Sequence, residues 1–319
     1  MPRHVTHTAF ALLLASLVTA CAGRMSPVTA PAAGDVPLTT RRIVSSTTGQ
    51  TVSLSQLADA ASTADLVFFG EQHDDEETHR AELAMLSAIG ERRGKVVLSL
   101  EMFERDVQSV LDAYLAGRIS EADFRAQSRP WPNYGTDYRP LVELAKAKGW
   151  PVVAANVPRR FASTVSRRGL GALDSLSASD RLLVARDNVC PTDDQYYRNF
   201  IEVMGGAHGG APAVSGSAAP SMDAMMGLFY QAQCVKDETM AEAIIEARAS
   251  AGSDAVVVHF TGAFHSDFGL GTVSRVLRRL PAARTVVVSA VPTPDPAGEA
   301  VTQYTDRGQF IMLTLRVPR

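Results

Sequence analysis

Six polar side chains share one position in the sequence, at or just after the end of a hydrophobic run. They are Glu71, His73, Glu101, Asn156, His259 and His265. Carboxylates and imidazoles can transfer protons in catalysis, and three of them that converge can hold a divalent metal ion whose bound water becomes a nucleophile near neutral pH. The residue types therefore indicate either an acid–base site or a metal site, provided that the fold brings them together.

Two of the imidazoles occur in the same short pattern. Residues 70–73 read GEQH and residues 262–265 read GAFH, so both fit G-x-x-H directly after a hydrophobic run. Glycine permits a tight exit turn, after which the histidine can point back over a sheet. Neither copy is an HExxH zinc motif, and the chain has no G-x-S-x-G nucleophile elbow.

An enzyme hypothesis follows from these residues. In a metal-dependent hydrolase, His73, Glu101 and His265 would hold a divalent metal with one open position, and Glu71 would be the general base. A metal-free esterase would instead use His73 as the base beside Glu71 or Glu101.

Each residue also has a structural alternative. Asp74 or Asp75 can cap a helix that begins near Glu76, and Glu101 can form a structural ion pair with Arg105 or another base. His259 is typical of a hydrogen-bonded core residue, and His79 is expected to be solvated.

The hydrophobic runs predict the fold class. Continuous apolar, β-branched runs favour strands buried on both faces, and hence an α/β domain with a mostly parallel central sheet flanked by helices. The runs are 66–69, 96–100, 152–155, 255–260, 285–290 and 310–315, preceded by a small hairpin at 42–53. Helical periodicity is expected at 76–92, 105–115, 138–148, 194–204 and 223–248. Open sheets of this class bind ligands at the carboxyl ends of their strands, where the polar residues fall.

The N-terminal region predicts export. A basic start and a short apolar run precede Leu17-Val18-Thr19-Ala20-Cys21, which resembles a bacterial lipobox. We therefore expect a lipoprotein signal peptide at 1–20, lipid such as palmitate on Cys21, a flexible tether at 21–40 and one folded domain at 41–319. The expected location is the cell envelope, with the chain anchored to a bacterial membrane, which is expected to be the outer membrane. A signal peptide cut elsewhere, with Cys21 incidental, is the alternative.

Composition and the remaining cysteines add two expectations. With a net charge of −3 and 46% hydrophobic residues, the chain is typical of a globular protein and not of a nucleic-acid-binding one. In an oxidising envelope, Cys190 and Cys234 are expected to form a disulfide, with two separate buried thiols as the alternative. A Gly-, Ala- and Ser-rich stretch at about 205–221 predicts a mobile loop within the domain.

Five segments resemble a known family, the ChaN-like haem-binding lipoproteins, which are related to the Tiki and TraB proteins and the erythromycin esterases. The segments are FFGEQHDDEETHR (68–80), LSLEMFERDVQ (98–108), DYRPLVELAKAKGWPVVAANVPR (137–159), QAQCVKDETMAEAI (231–244) and VVHFTGAFHSDFGLG (257–271). The resemblance implies an α/β domain with a mobile helical cap that takes up haem for iron acquisition. It also implies a haem-linked homodimer that encloses two haems face to face, and an outer-membrane haem receptor as a partner.

The same resemblance implies a tyrosine on each haem iron and a histidine and a lysine on the propionates. Candidates for the iron ligand are Tyr196, Tyr197 and Tyr230, because a phenolate suits ferric haem and a nearby cation can keep it deprotonated. His208 and Lys236 are the remaining cap candidates. A haem-binding protein is thus the leading hypothesis, the hydrolase is the second, and a lipid-anchored scaffold with a decayed site is the third.

Overall fold

A computed structural model describes residues 40–207 and 222–316. Within these residues the chain forms one eight-stranded sheet covered by helices. The strands are β1 (Arg41–Ser45), β2 (Thr51–Val52), β3 (Leu66–Glu71), β4 (Val96–Glu104), β5 (Val152–Asn156), β6 (Val256–Gly262), β7 (Thr285–Thr293) and β8 (Phe310–Leu315). All six predicted core strands and the N-terminal hairpin are present.

The strand order is β2-β1-β8-β7-β3-β6-β4-β5. β1 runs antiparallel to β2 and β8, and every other pair in the sheet is parallel. The predicted mostly parallel α/β sheet is therefore confirmed. The last four strands in this order, β3, β6, β4 and β5, are parallel neighbours, so their carboxyl ends meet along one edge of the sheet.

The helices pack on both faces of this sheet. They are α1 (Leu54–Ser62), α2 (Glu76–Arg92), α3 (Gln108–Leu115), α4 (Glu121–Ser128), α5 (Arg139–Lys148), α6 (Arg159–Arg168), α7 (Ala178–Arg181), α8 (Gln195–Ala207), α9 (Met222–Ala251) and α10 (Gly271–Arg279). None of the helices in the described ranges combines the length and the apolar character that a membrane span requires.

Alternation along β3 shows how the two core layers arise. Val67 and Phe69 pack into the cluster beneath α1, α2 and α5, whereas Leu66 and Phe68 pack against α9 and α10. All four side chains are fully buried, and burial of each contributes about 1.5–3 kcal/mol to stability. A strand with both faces covered has no polar side until it ends at Gly70 and Glu71.

Local signals fix the elements around the site. Asp75 caps α2 through a hydrogen bond from the Thr78 backbone N–H to its Oδ2 atom (3.2 Å), which confirms one of the two predicted caps. A disulfide joins Cys190 to Cys234 and ties the segment before α8 to α9. Residues 205–207 of the predicted loop belong to α8 instead, and residues 208–221 lie outside the described part of the chain, as do the predicted signal peptide and Cys21.

Candidate functional site

The carboxyl ends of β3, β4, β5 and β6 open into one cavity of about 720 Å³. Its floor carries five of the polar residues predicted from the strand ends: Glu71, His73, Glu101, Asn156 and His265. A cavity of this volume lies within the range typical of small-molecule and cofactor sites. The structure therefore brings together residues that are almost 200 positions apart in the chain.

His73 is held by Glu71 on the exit turn of β3. Its Nδ1 atom lies 2.5 Å from Glu71 Oε1, which also accepts a hydrogen bond from the Tyr138 hydroxyl (2.7 Å). Burial alone would lower the pKa of His73, but the hydrogen bond to Glu71 and the charges of Glu71 and Glu101 outweigh burial and raise it. The Nε2 atom is directed towards Gly262, at the floor of the cavity.

His265 is held in the same way by a different carboxylate. Its Nδ1 atom lies 2.8 Å from Asp237 Oδ1, and Asp237 is fully buried in α9. Asp237 also accepts hydrogen bonds from the hydroxyls of Tyr196 (2.5 Å) and Thr272 (2.9 Å). Burial would raise the pKa of Asp237, but His265 and Arg275 outweigh it and lower the pKa. Sequence reasoning missed Asp237, because it lies in the middle of a helix and not at a strand end.

Glu101 lies between the two imidazoles. Its Oε2 atom accepts hydrogen bonds from the Thr261 hydroxyl (2.6 Å) and the Gly262 backbone N–H (2.8 Å), while Oε1 lies 3.7 Å from His265 Nε2. Burial would raise the pKa of Glu101, but the charges of His265, His73 and Lys236 lower it to about 2. Glu101 is thus a carboxylate at neutral pH.

A shift in strand register positions Glu101. Pairing between β4 and β5 slips between Leu100 and Glu104, and such a bulge re-aims the side chain within it. Arg105 pairs with Glu242 (3.0 Å) and not with Glu101, whereas His265 lies within ion-pair distance of Glu101 (3.7 Å). The ion-pair alternative was therefore wrong for Arg105, and another base, His265, takes its place.

His259 and Asn156 have structural roles. The Nδ1 atom of His259 lies 2.9 Å from Ser99 Oγ, and burial lowers the pKa of His259 to about 4, so the ring is neutral in the core. The core alternative for His259 is therefore confirmed. Asn156 donates from Nδ2 to the Glu101 carbonyl oxygen (3.0 Å) and holds β5 against the bulge.

The prediction that His79 lies in solvent was wrong, because this residue of α2 is 96% buried. Its Nδ1 atom lies 3.0 Å from Glu82 Oε2 and 3.7 Å from Glu71 Oε2. Burial and the neighbouring Glu71 raise the pKa of Glu82 well above its ordinary value. At Glu71, burial would also raise the pKa, but the hydrogen bonds with Glu82 and His73 outweigh burial and lower it. The expectation failed because α2 turns this face towards the sheet end and not towards water.

The three candidate iron ligands, Tyr196, Tyr197 and Tyr230, lie in one aromatic cluster with Phe200 and Met226. The Tyr196 hydroxyl donates to Asp237, and the Tyr230 hydroxyl donates to the Pro191 carbonyl (2.6 Å). Burial raises the pKa of both phenols, and no cation reverses the shift. Tyr197 is half-buried against the ring edge of Tyr230, and its hydroxyl makes no hydrogen bond with the described residues.

The upper wall of the cavity is apolar and carries two cations. Its apolar side chains are Trp131, Phe200, Met204, Phe264, Phe268 and Leu270. Lys236 and Arg307 also line the cavity. The predicted lysine is therefore at the site, whereas Arg307 was missed because it lies in a turn-rich segment without a recognisable motif; His208 lies outside the described residues.

Comparison with known proteins agrees with this architecture. A sequence model of the family described as "Haem-binding uptake, Tiki superfamily, ChaN" matches residues 57–276. The chain is similar in structure to ChaN of Campylobacter jejuni, a structure titled for cofacial haem binding, with a TM-score of 0.63 and 14% identity over 86% of this chain and 97% of that one. It is also 26% identical over 204 residues to RETICULATA-RELATED 5, a chloroplastic protein of Arabidopsis thaliana, covering 60% of this chain and 25% of that protein. The chain thus spans about a quarter of that relative.

Proposed function

The chain belongs to the ChaN haem-binding uptake family of the Tiki superfamily, and we propose that it binds haem in the cavity above the carboxyl edge of its sheet, for iron acquisition at the bacterial envelope. One observation carries this proposal. A single cavity of about 720 Å³ combines an aromatic wall with two cationic side chains.

The two parts of the cavity match the two parts of a haem. The porphyrin faces are apolar, and Phe200, Phe264 and Leu270 offer an apolar surface on one side of the cavity. The propionates are anionic, and Lys236 and Arg307 offer the complementary charge. Phe268 is 43% exposed at the rim, so a bound ring would also cover apolar surface that is now in water.

Tyr197 is the proposed iron ligand; it packs against Tyr230 and is not one of the lining residues of the cavity, so its ring must turn towards a bound haem. Ferric iron favours a phenolate, and a phenol that is buried and already donating to an acceptor ionises with difficulty. Tyr196 and Tyr230 are both in that condition. Tyr197 keeps its hydroxyl unbonded within the described chain, and the cavity imidazoles of His73 and His265 are the competing ligands.

Haemin titration followed by absorbance tests this assignment. We expect saturable binding with a spectrum typical of tyrosinate-bound ferric haem, and a changed Soret band in Tyr197→Phe. Tyr114→Phe is the matched control, because Tyr114 stacks on Phe124, donates to Glu143 and contacts none of the proposed haem-binding residues. Retention of the wild-type spectrum in Tyr197→Phe, with a shift in His73→Gln or His265→Gln, would transfer the ligand role to an imidazole.

The cellular setting is part of the proposal. We propose lipid attachment at Cys21, a membrane-anchored location, a homodimer formed around haem and delivery from an outer-membrane receptor. The lipobox-like residues 17–21 support the anchor. Val203 on α8 lines the cavity and is exposed, and this apolar surface supports a second copy over the cavity. Sedimentation with and without haemin tests the dimer.

A second candidate function is hydrolysis, and the paired imidazoles favour it. His73 and His265 are each fixed through Nδ1 by a carboxylate, and both lie beside Glu101. Such pairing orients imidazoles for metal binding or for proton transfer. A hydrolase would turn over model esters, and Glu71→Gln would abolish turnover; no turnover in the wild type would exclude it for those substrates.

A further inference from the structure

A buried cluster of Glu71, His79 and Glu82 lies behind the cavity floor, between β3 and α2. One potential ligand atom from each residue lies within 4.8 Å of the other two. All three side chains are at least 96% buried. Glu71 belongs to both places, since its Oε1 atom holds His73 and its Oε2 atom faces His79 at 3.7 Å.

Two carboxyl oxygens in this cluster lack a nitrogen or hydroxyl donor. Glu71 Oε2 and Glu82 Oε1 are buried and accept no such hydrogen bond from the part of the chain that the structure describes, so without a metal ion the two carboxyl groups share a proton. The donors of His73 and Tyr138 both go to Glu71 Oε1, so they do not satisfy the second oxygen. Buried carboxylate oxygens without a donor are costly, and a cation between them removes that cost.

His79 is oriented as a metal-binding histidine. Its Nε2 atom lies 3.3 Å from the His73 carbonyl oxygen and 3.5 Å from Asp137 Oδ2, so both neighbours of Nε2 are acceptors. With the ring proton on Nε2, the lone pair of Nδ1 faces Glu82 Oε2 at 3.0 Å. A lone pair against a carboxylate oxygen is repulsive unless a proton or a metal ion lies between them. Metal-bound histidines typically donate their other N–H to a carboxylate or carbonyl in this way.

The second layer comes from a single π-helical turn at Tyr134–Tyr138. This turn supplies both Asp137, beside His79, and Tyr138, which binds Glu71. Such turns are rare in proteins, and many of those that are found lie at functional sites. Asp137 also lines a surface groove of about 630 Å³, which shares His73 and Trp131 with the cavity, so it connects the cluster to solvent.

We propose that Glu71, His79 and Glu82 bind one divalent transition-metal ion of the Zn²⁺ class, with Asp137 positioning His79. Two carboxylates and one imidazole are donors that Zn²⁺ accepts. The site differs from the His73, Glu101 and His265 set of the hydrolase hypothesis, and it does not depend on haem binding. Through the shared carboxylate, the ion would fix Glu71 and hence the orientation of His73.

Zinc binding to the purified full chain tests the proposal. The protein is treated with a chelator, dialysed against Zn²⁺ over a range of free concentrations, and analysed for zinc per chain. We expect one site in the wild type that is weakened more than tenfold in Glu82→Gln and about 10–100-fold in Asp137→Asn, which removes an outer-layer partner. Glu76→Gln is the matched control, because this substitution makes the same chemical change at an exposed position on α2.

Two results would overturn the proposal. The first is zinc that is lost in His265→Ala but retained in Glu82→Gln, since that places the ion in the cavity. The second is the absence of a zinc site in the wild type, since the two carboxyl groups would then only share a proton. In support, zinc should raise the melting temperatures of the wild type and Glu76→Gln, and not that of Glu82→Gln.

Discussion

Gly262 lies directly beneath the imidazole of His73. A Cβ atom at position 262 would lie 2.8 Å from His73 Nε2 and 3.0 Å from Cε1. The backbone of Gly262 is not left-handed, with φ −55° and ψ 139°. Gly70 has the reciprocal role, since a Cβ there would lie 2.5 Å from Ser266 Oγ and 3.0 Å from Ala263 Cα. The two G-x-x-H motifs therefore need glycine because each packs against the other, and not to make a special turn.

Gly262→Ala is expected to displace His73 without disturbing the backbone. The methyl group removes the space that Nε2 occupies, so the ring must move from its hydrogen bond with Glu71. Since that hydrogen bond helps to raise the pKa of His73, the pKa should fall towards its ordinary value in the variant. Titration of the histidine signals by NMR measures this shift.

Gly94→Ala is the control for that substitution, because nothing lies within 4 Å of a Cβ at position 94. Haemin affinity should fall in Gly262→Ala and stay unchanged in Gly94→Ala. An unchanged His73 titration in Gly262→Ala would show that the ring has another position of equal energy, contrary to the structure.

Glu101 makes stability depend on acid. Its pKa of about 2 lies below the ordinary value of about 4.3, so the ionised side chain stabilises the fold fully above about pH 5, and this contribution is lost as the pH falls towards 2. The full shift corresponds to about 3 kcal/mol. We expect Glu101→Gln to be less stable than the wild type at pH 7 and within about 1 kcal/mol of it at pH 2.5, as measured by urea unfolding.

The matched comparison for Glu101→Gln is Glu76→Gln, which removes an exposed carboxylate. Its free energy of unfolding should follow that of the wild type at both pH values. A stability difference for Glu101→Gln that does not change with pH would mean that packing, and not ionisation, determines its effect.

The sheet could be predicted from the sequence because its signal is local. Runs such as 66–69 and 255–260 are apolar without interruption, and strands buried on both faces leave that pattern. Helices α6 and α10 were not predicted. The sequences RRFASTVSRR and GTVSRVLRR contain few apolar residues, and packing against α9 stabilises them.

The site was predicted in part for the same reason. Glu71, Glu101 and His265 follow strands, and the rule that parallel strands deliver ligands to one edge placed them together. Asp237, Glu82 and His79 could not be found in this way, because they lie on helices and become site residues only through tertiary packing. Periodicity shows which face of a helix is polar, but not that a polar side chain is buried beside a strand end.

The disulfide between Cys190 and Cys234 is expected to stabilise the side of the cavity that α8 and α9 form. It closes a loop with a sequence separation of 44 residues, which corresponds to about 4 kcal/mol in the chain-entropy account. The double variant Cys190→Ala, Cys234→Ala should melt at a lower temperature, and haemin affinity should fall because Lys236 and Asp237 follow Cys234 on α9. Dithiothreitol should lower the melting temperature of the wild type and leave that of the double variant unchanged; an equal effect on both would contradict a structural role for the bond.

Asp267, beside the rim of the cavity, is expected to make stability fall with rising pH. Burial raises the pKa of its carboxyl to about 7, against a partly opposing charge on Arg307 at 3.5 Å. The protonated form is therefore favoured by folding, so its contribution is fully present below about pH 4 and is lost as the pH rises through 7. Asp267→Asn keeps a neutral side chain and should be more stable than the wild type at pH 8, by up to about 4 kcal/mol, and close to it at pH 4.

Urea unfolding at the two pH values measures this difference, with Asp174→Asn as an exposed control. A lower stability of Asp267→Asn at pH 8 would show that the ion pair with Arg307, and not the burial of the carboxyl, determines the protonation state of Asp267.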